Sequence, residues 1–420
     1  MKVQVDRTLV RERGGSRRYL MVTLTAPEAQ ASAGQARPPA NVAIVLDRSG
    51  SMEGDKLALA KEAARGALGL LKRTDTFSLV VYDNEVDVLV PAAPVLPESL
   101  QAALRRLDRI EARGSTALHE GWRQGAALVA KRLAEEAVGK CLLLTDGLAN
   151  QGLTDPAAIA HECAEACGRR VVTSTFGVGS DFDERLLDGM ATKGGGNFYF
   201  VENARQIPGF LQADLSETLE VVARDVRVEV AVPPGVQVTS LNTYPTEETA
   251  SGVACRVSNL VSAQELRLLF GLRFPAGTAG QSFEVRCSVS DRDGALGAPV
   301  DAVSCTCAGA AEVAAQPRER AVDRFVAQQF AARARREALE ANRDGRFDAA
   351  RRALEKTADR IGRYAGNDPE LVALVEELRR DAREHSQEME MMRRKALYFR
   401  HYTSGKDRDM ALGSARRTAR

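Results

Sequence analysis

The chain has 420 residues, enough for two or three domains with separate cores, and its 44% hydrophobic and 27% charged residues describe an ordinary globular composition. A formal net charge of +1 gives no reason to expect a nucleic-acid partner, and no uninterrupted apolar stretch approaches the ~20 residues that a membrane helix needs. Seven cysteines without regular spacing do not form a disulfide framework, and no apolar secretory core follows the first strand-like residues, so a cytoplasmic, bacterium-like setting is expected.

Residues 1 to 27 read as two strands, Lys2 to Val5 and Tyr19 to Thr25, joined by the turn-like Arg13-Gly14-Gly15-Ser16. A stretch rich in Ala, Gln, Gly and Pro, Glu28 to Pro39, reads as a flexible linker. From there to residue 219, apolar runs alternate with amphipathic helix patterns, which implies a parallel sheet covered by helices, a doubly wound (Rossmann-like) α/β module spanning 40–219. The expected strands are Val42–Leu46, Phe77–Tyr82, Cys141–Leu144, Val171–Phe176 and Asn197–Phe200. Helical spacing covers Lys56–Leu71, Leu100–Leu107, Ala117–Ala134, Pro156–Ala166 and Glu184–Met190.

The period then changes. Val226 to Val232 and Phe283 to Cys287 alternate strictly, Leu266–Phe274 is a longer apolar run, and Pro233-Pro234-Gly235 and Asp291-Arg292-Asp293-Gly294 supply turns. These residues, 220–308, read as an antiparallel β-sandwich that is small on its own. The two N-terminal strands have no other partner and are assigned to the same sheets, so the α/β module is expected as an insertion in the sandwich.

Residues 316–400 read as a C-terminal helical hairpin or bundle. One stripe is Val322, Phe325, Val326 and Phe330, a second is Phe347, Ala350, Leu354, Ala358 and Ile361, and a third runs from Leu371 to Met392. Asp344-Gly345 separates the first two helices, and Asp368-Pro369-Glu370 opens the third with a capping side chain and a proline at the first helical position. Residues 401–420 read as a basic tail.

The most informative residues are Asp47-Arg48-Ser49-Gly50-Ser51, at the end of the run Val42 to Leu46. An acid and two hydroxyls alternate where a buried strand emerges, and hard oxygen donors there suit a small divalent cation such as Mg²⁺. Gly114-Ser115-Thr116 and Thr145-Asp146-Gly147 follow in other loops. Together these segments resemble the metal-ion-dependent adhesion site (MIDAS) of von Willebrand factor type A (VWA) domains, with its pattern Asp-x-Ser-x-Ser, then Thr, then Asp. The resemblance implies metal ligation by Asp47, Ser49, Ser51, Thr116 and Asp146, directly or through water, with Mg²⁺ as the expected ion and Mn²⁺ or Ca²⁺ as alternatives. It also implies a protein partner whose Asp or Glu carboxylate completes the coordination. Gly50 is expected to let the loop turn sharply, and Gly147 to allow close approach beside Asp146. A VWA module beside a β-sandwich is similar in arrangement to inter-alpha-trypsin inhibitor heavy chains and their bacterial relatives.

Other chemistries fit poorly. A phosphatase of the haloacid dehalogenase type needs a second Asp two residues after the first, where Ser49 stands, and no Gly-x-x-x-x-Gly-Lys-Ser/Thr loop exists. Gly194-Gly195-Gly196 precedes a strand and reads as a turn. His161, Glu162, Cys163 and Cys167 share a helix face that could bind a soft metal but reads better as a buried face with small thiols, Cys305 and Cys307 read as core thiols, His119 as a helix-surface residue and Trp122 as a packing residue. With no general base or nucleophile placed beside the motif, the expectation is a metal-dependent protein-interaction module rather than an enzyme. A co-chaperone or adaptor of a MoxR-type AAA ATPase and a secreted adhesion protein are the alternatives.

Overall fold

The computed structural model describes residues 1–28, 38–135 and 137–406. They form two compact units: the residues up to 28 together with those from Val222 onward, and those from 38 to Val221. The first unit opens with β1 (Lys2–Val5), β2 (Leu9–Arg11) and β3 (Arg17–Thr25). Where two strands were expected there are three. β2 is too short for its alternation to register, and only Val10 in it is buried. It is held by tertiary bonds instead: the Leu9 N–H donates to Gln316 Oε1 at 2.7 Å, and Arg18 Nε donates to the Leu9 carbonyl at 3.0 Å.

The second unit runs β4 (Ala40–Asp47), α1 (Asp55–Leu70), β5 (Thr76–Tyr82), β6 (Val86–Pro94), α2 (Pro97–Asp108) and α3 (Leu118–Lys131). β7 (Val138–Thr145), α4 (Pro156–Gly168), β8 (Val171–Val178), α5 (Glu184–Lys193), β9 (Gly195–Val201) and α6 (Ile207–Leu219) complete it. Its sheet has the order β6-β5-β4-β7-β8-β9. Every pairing is parallel except that of β6, which returns antiparallel along β5. All residues of β4 and β7 are buried, as central strands covered on both faces require, and both read as unbroken apolar runs rather than alternations. The strand order reverses direction between β4 and β7, which opens a crevice at their carboxyl ends, where sheets of this kind bind ligands.

The chain then re-enters the first unit with β10 (Val221–Ala231), β11 (Gln237–Ser240), β12 (Thr246–Thr249), β13 (Gly252–Val261), β14 (Glu265–Arg273), β15 (Ser282–Ser290) and β16 (Val300–Ala308). One sheet has the order β1-β3-β14-β11, and β3 pairs with β14 along its whole length, Arg17 to Arg273 through Thr25 to Glu265. The other is β12-β13-β10-β15-β16-β2. Leu20, Val22, Leu268 and Phe270 from the first sheet and Val228, Val230, Val285 and Cys287 from the second lie in one buried cluster. The second sheet is not wholly antiparallel as expected, because β2 joins β16 in parallel at Leu9–Thr306.

Five helices end the described chain: α7 (Ala310–Ala315), α8 (Arg320–Arg343), α9 (Phe347–Ala365), α10 (Pro369–Glu384) and α11 (Met391–Lys406). α8, α9 and α10 bury Ala331, Ala338, Leu354, Ile361, Leu371 and Leu378 in a common core. Asp368 caps α10 by accepting from the N–H groups of Glu370 and Leu371 at 3.1 and 3.2 Å. α8 also covers the outer face of the β3–β14 pair, where Val322, Phe325 and Val326 pack on Met21 and Leu269. The third stripe is not one helix: α10 stops at Glu384 and α11 starts at Met391. Helix continues to Lys406, so the expected basic tail at 401–420 does not begin at 401; residues 407–420, and 29–37 of the expected linker, lie outside the described residues.

Candidate metal centre

Asp47 is the last residue of β4, and Asp146 directly follows β7, so the crevice between these neighbouring strands receives both carboxylates, each fully buried. After Asp47 the chain makes a short 3-10 turn, Gly50–Met52, and enters α1. This path folds Ser49 and Ser51 back over the strand end. The Ser49 N–H donates to Asp47 Oδ1 at 2.8 Å, the two serine hydroxyls are 3.2 Å apart, and the Ser51 hydroxyl donates to Asp146 Oδ1 at 2.7 Å. Thr145, the last residue of β7, donates its hydroxyl to Asp47 Oδ2 at 2.6 Å.

Thr116 comes from the loop before α3. A Cβ added to Gly147 would stand 3.4 Å from Thr116 Oγ1 and 3.9 Å from Ser51 Oγ, ordinary contacts that put the third loop beside both hydroxyls without requiring a glycine there, so the expectation for Gly147 does not hold. The structure thus brings Asp47, Ser49, Ser51, Thr116 and Asp146 to one place. The expectation for Gly50 does not hold: its φ is not left-handed, and an added Cβ would make only an ordinary 3.6 Å contact with the Gly114 carbonyl. The glycines here that take a positive φ are Gly54 at the cap of α1, +81°, and Gly114 in the second loop, +70°.

Burial pushes the Asp47 carboxyl up to about 6, against hydrogen bonds from Ser49 and Thr145 that lower it, and nearby Asp146 raises it further. Two buried carboxylates with three hydroxyls form an all-oxygen donor set with two formal negative charges. That chemistry fits a hard divalent cation, which would offset the cost of ionising Asp47. Asp47, Ser49, Ser51, Thr116 and Asp146 are the residues that would hold it.

Several residues that shape this centre carry no motif. Lys56 Nζ, from the second residue of α1, lies 2.5 Å from Asp146 Oδ2. Asn150 ties the third loop to the second, accepting the Thr116 N–H at its Oδ1 at 3.1 Å, while Gln151 donates to the Ser115 hydroxyl at 2.6 Å. Asp83, after β5, binds the guanidiniums of Arg48 and Arg113 at 2.8 and 2.7 Å. Burial opposes ionisation of Asp83, but hydrogen bonds from Arg113 and the Glu85 N–H, with Arg48 beside them, outweigh it and hold its carboxyl below the ordinary range. A charged residue within a ligand loop, such as Arg48 or Arg113, is the only sequence signal for these contacts.

Other singled-out residues lie elsewhere. His119 is buried rather than on the helix surface, with Nε2 2.9 Å from Glu162 Oε2 on α4. Cys163 is fully buried, as a face with small thiols requires, while His161 on the same helix is exposed and does not share that face. Among the described residues no group of three or more His, Cys, Asp or Glu side chains is placed to hold a metal. Trp122 packs in the interior and donates to Thr173 Oγ1 at 3.0 Å, and Cys305 and Cys307 are free thiols facing the core between the two sheets. Gly194 caps α5 and Gly195, with φ +72°, already opens β9, so the three glycines do not make a separate turn.

The sequence profile of the von Willebrand factor type A domain matches residues 41–213. The uncharacterized protein YfbK of Escherichia coli K12 is 27% identical over 200 residues, 47% of this chain and 34% of that protein. Human inter-alpha-trypsin inhibitor heavy chain H3 is 31% identical over 167 residues, 38% of this chain and 18% of that one. The chain therefore spans about a third or less of the length of these curated relatives. Among solved structures, a von Willebrand factor type A protein from Catenulispora acidiphila superposes with a TM-score of 0.73 at 18% identity, covering 96% of each chain. The ArnB paralog VWA2 from Sulfolobus acidocaldarius does so with a TM-score of 0.57 at 16% identity, covering 92% of this chain and 99% of its own. These likenesses show a shared fold, and with the profile match they establish that the chain carries a von Willebrand factor type A domain over residues 41–213.

Proposed function

We propose that this protein is a metal-dependent protein-interaction module that grips an acidic side chain of a partner through a divalent cation, Mg²⁺ by preference, at the centre built by Asp47, Ser49, Ser51, Thr116 and Asp146. The observation that carries this reading is the convergence of these oxygen donors at the crevice between β4 and β7. The bound ion would supply an electrophilic position for a partner carboxylate. Asp47 and Asp146 would contribute only two formal charges, and Lys56 offsets one of them, which leaves the centre receptive to an anion. Leu148, directly after Gly147, is 53% exposed and offers an apolar contact beside that position. The reading is one of binding rather than catalysis, because the residues around the donor set are committed to one another rather than arranged as a nucleophile with its base.

In this reading the VWA domain is an insertion within a β-sandwich made by the two sheets of the other unit, whose N-terminal and C-terminal strands pair as β3 with β14. Among the described residues no helix is long and apolar enough to cross a membrane. The deciding experiment is a pull-down from the source organism's extract with wild type and Asp47→Ala, each in Mg²⁺ and in EDTA. Partner recovery only by wild type in Mg²⁺ supports the reading; equal recovery by folded Asp47→Ala contradicts it.

A further inference from the structure

Asp83 follows β5 at the carboxyl end of the sheet and belongs to no ligand motif. Its Oδ2 accepts from Arg48 Nε at 2.8 Å and from Arg113 Nε at 2.7 Å. Arg48 lies between Asp47 and Ser49, and Arg113 lies three residues before Thr116. One fully buried carboxylate oxygen therefore holds a guanidinium from each of two loops that carry the hydroxyl donors. Asp83 Oδ1 is engaged as well, accepting the Glu85 N–H at 2.7 Å, so the carboxylate cannot swing away.

The backbone around Asp83 repeats the same linkage. Its carbonyl accepts from the N–H of Ala117, the residue after Thr116, at 2.7 Å, and the Tyr82 carbonyl accepts from Arg48 N–H at 2.9 Å. Between the loops themselves, the Arg113 N–H donates to the Arg48 carbonyl at 2.8 Å, and the Gly50 N–H donates to the Gly114 carbonyl at 3.1 Å. Arg48 is further fixed by Asp87 at 2.5 Å. Removing Asp83's charge would leave the buried Arg48 with one half-exposed partner and Arg113 with none held inside the fold.

We infer that Asp83 is a positioning residue for the metal centre: by clasping Arg48 and Arg113 on one oxygen it sets the spacing between the Ser49–Ser51 loop and Thr116. This inference rests on the metal-binding reading above. Mg²⁺ needs near-octahedral oxygens at 2.0–2.1 Å, so a loop displaced by even ~1 Å no longer presents its donor. Outer partners that orient metal ligands typically change affinity ~10–100-fold when lost.

The test measures Mg²⁺ affinity of the full chain by titration calorimetry for wild type, Asp83→Asn and Arg113→Met, with circular dichroism and melting in EDTA as the fold control. Asp83→Asn is expected to weaken Mg²⁺ binding about tenfold or more. The Arg113 side chain is 55% exposed, so Arg113→Met should fold even where Asp83→Asn does not, and it is expected to weaken binding several-fold. In a Thr116→Ala background the same Arg113→Met change is expected to have no further effect, because the hydroxyl it positions is gone. A purely structural role would shift melting and leave the folded protein's affinity unmoved. Wild-type affinity in folded Arg113→Met and Asp83→Asn would overturn the inference, whereas a wild type that binds no Mg²⁺ would overturn the metal-binding reading and this inference with it.

Discussion

Lys56 on α1 places its ammonium 2.5 Å from Oδ2 of Asp146, a fully buried carboxylate whose other oxygen accepts the Ser51 hydroxyl. The chain thus puts a tethered cation of its own on one of the two carboxylates that would hold a metal. A free divalent ion must share Asp146 with it or displace it. Lys56→Met keeps the aliphatic stem and removes the charge, so Mg²⁺ affinity is expected to rise several-fold in titration calorimetry. In EDTA the same variant should melt earlier, because Asp146 then lacks its cationic partner. An unchanged affinity would mean that Lys56 points away once the ion binds.

Asp47 would make metal binding at the proposed centre proton-linked. Its ordinary value of 3.8 is pushed up to about 6, chiefly by burial, so the folded metal-free protein holds this proton more tightly than the unfolded chain. Its contribution to stability is present in full below about pH 4 and is lost as pH rises through about 6. Mg²⁺ requires the ionised carboxylate, so its affinity should fall progressively below pH 6 and level off above about pH 7. Calorimetry in buffers of different ionisation enthalpy should register proton release on binding at pH 5.5 and little at pH 8.

Asp47→Asn separates stability from metal binding. At pH 8 an ionised, buried Asp47 carries a penalty of order 1–3 kcal/mol in the metal-free protein, because each tenfold change in proton affinity is worth ~1.4 kcal/mol. The amide removes that charge while retaining the acceptor for Ser49 N–H. Melting in EDTA should therefore show Asp47→Asn as stable as wild type or more so. Its melting temperature should not respond to Mg²⁺, whereas wild type should gain about 2.7 kcal/mol at a hundredfold excess over the dissociation constant. A large loss of stability in EDTA would show instead that Asp47 serves the fold as a turn cap.

Lys140 tests a different part of the same domain. It is buried in β7, and its Nζ lies 2.9 Å from Asp214 of α6, which also accepts from Ser174 and the Tyr199 hydroxyl at 2.9 and 3.2 Å. Lys140→Met leaves Asp214 charged and buried, so a loss of roughly 3–5 kcal/mol is expected in denaturant melts. Asp214 is on α6, away from the loops that bear the donors, so the folded fraction should keep wild-type Mg²⁺ affinity.

The candidate centre was legible because its two carboxylates stand at the ends of unbroken apolar runs. Val42 to Leu46 and Cys141 to Leu144 mark central strands, and Asp47 and Asp146 follow at the exits where a doubly wound sheet opens its crevice. β6 was not legible, since an edge strand such as Val86–Pro94 is half-exposed and carries Pro91 and two alanines in place of a clear alternation. α6 is not legible in the sequence because Pro208 and Gly209 blur the stripe of Ile207, Leu211 and Leu215. Lys56, Asp83 and Asn150 act through partners 90, 30 and 34 residues away, and no local period records such pairings. The burial of His119 depends likewise on Glu162 of a separate helix.

The most direct measurement is calorimetric titration of Mg²⁺ into the metal-free full chain at pH 7.5, alongside Asp47→Ala, Ser51→Ala and Asp146→Ala proteins shown to be folded. One binding event per chain is expected for wild type and none for the three variants over the same concentration range. Binding by the variants with wild-type affinity, or no binding by wild type at millimolar Mg²⁺, would contradict a metal-dependent role for this centre.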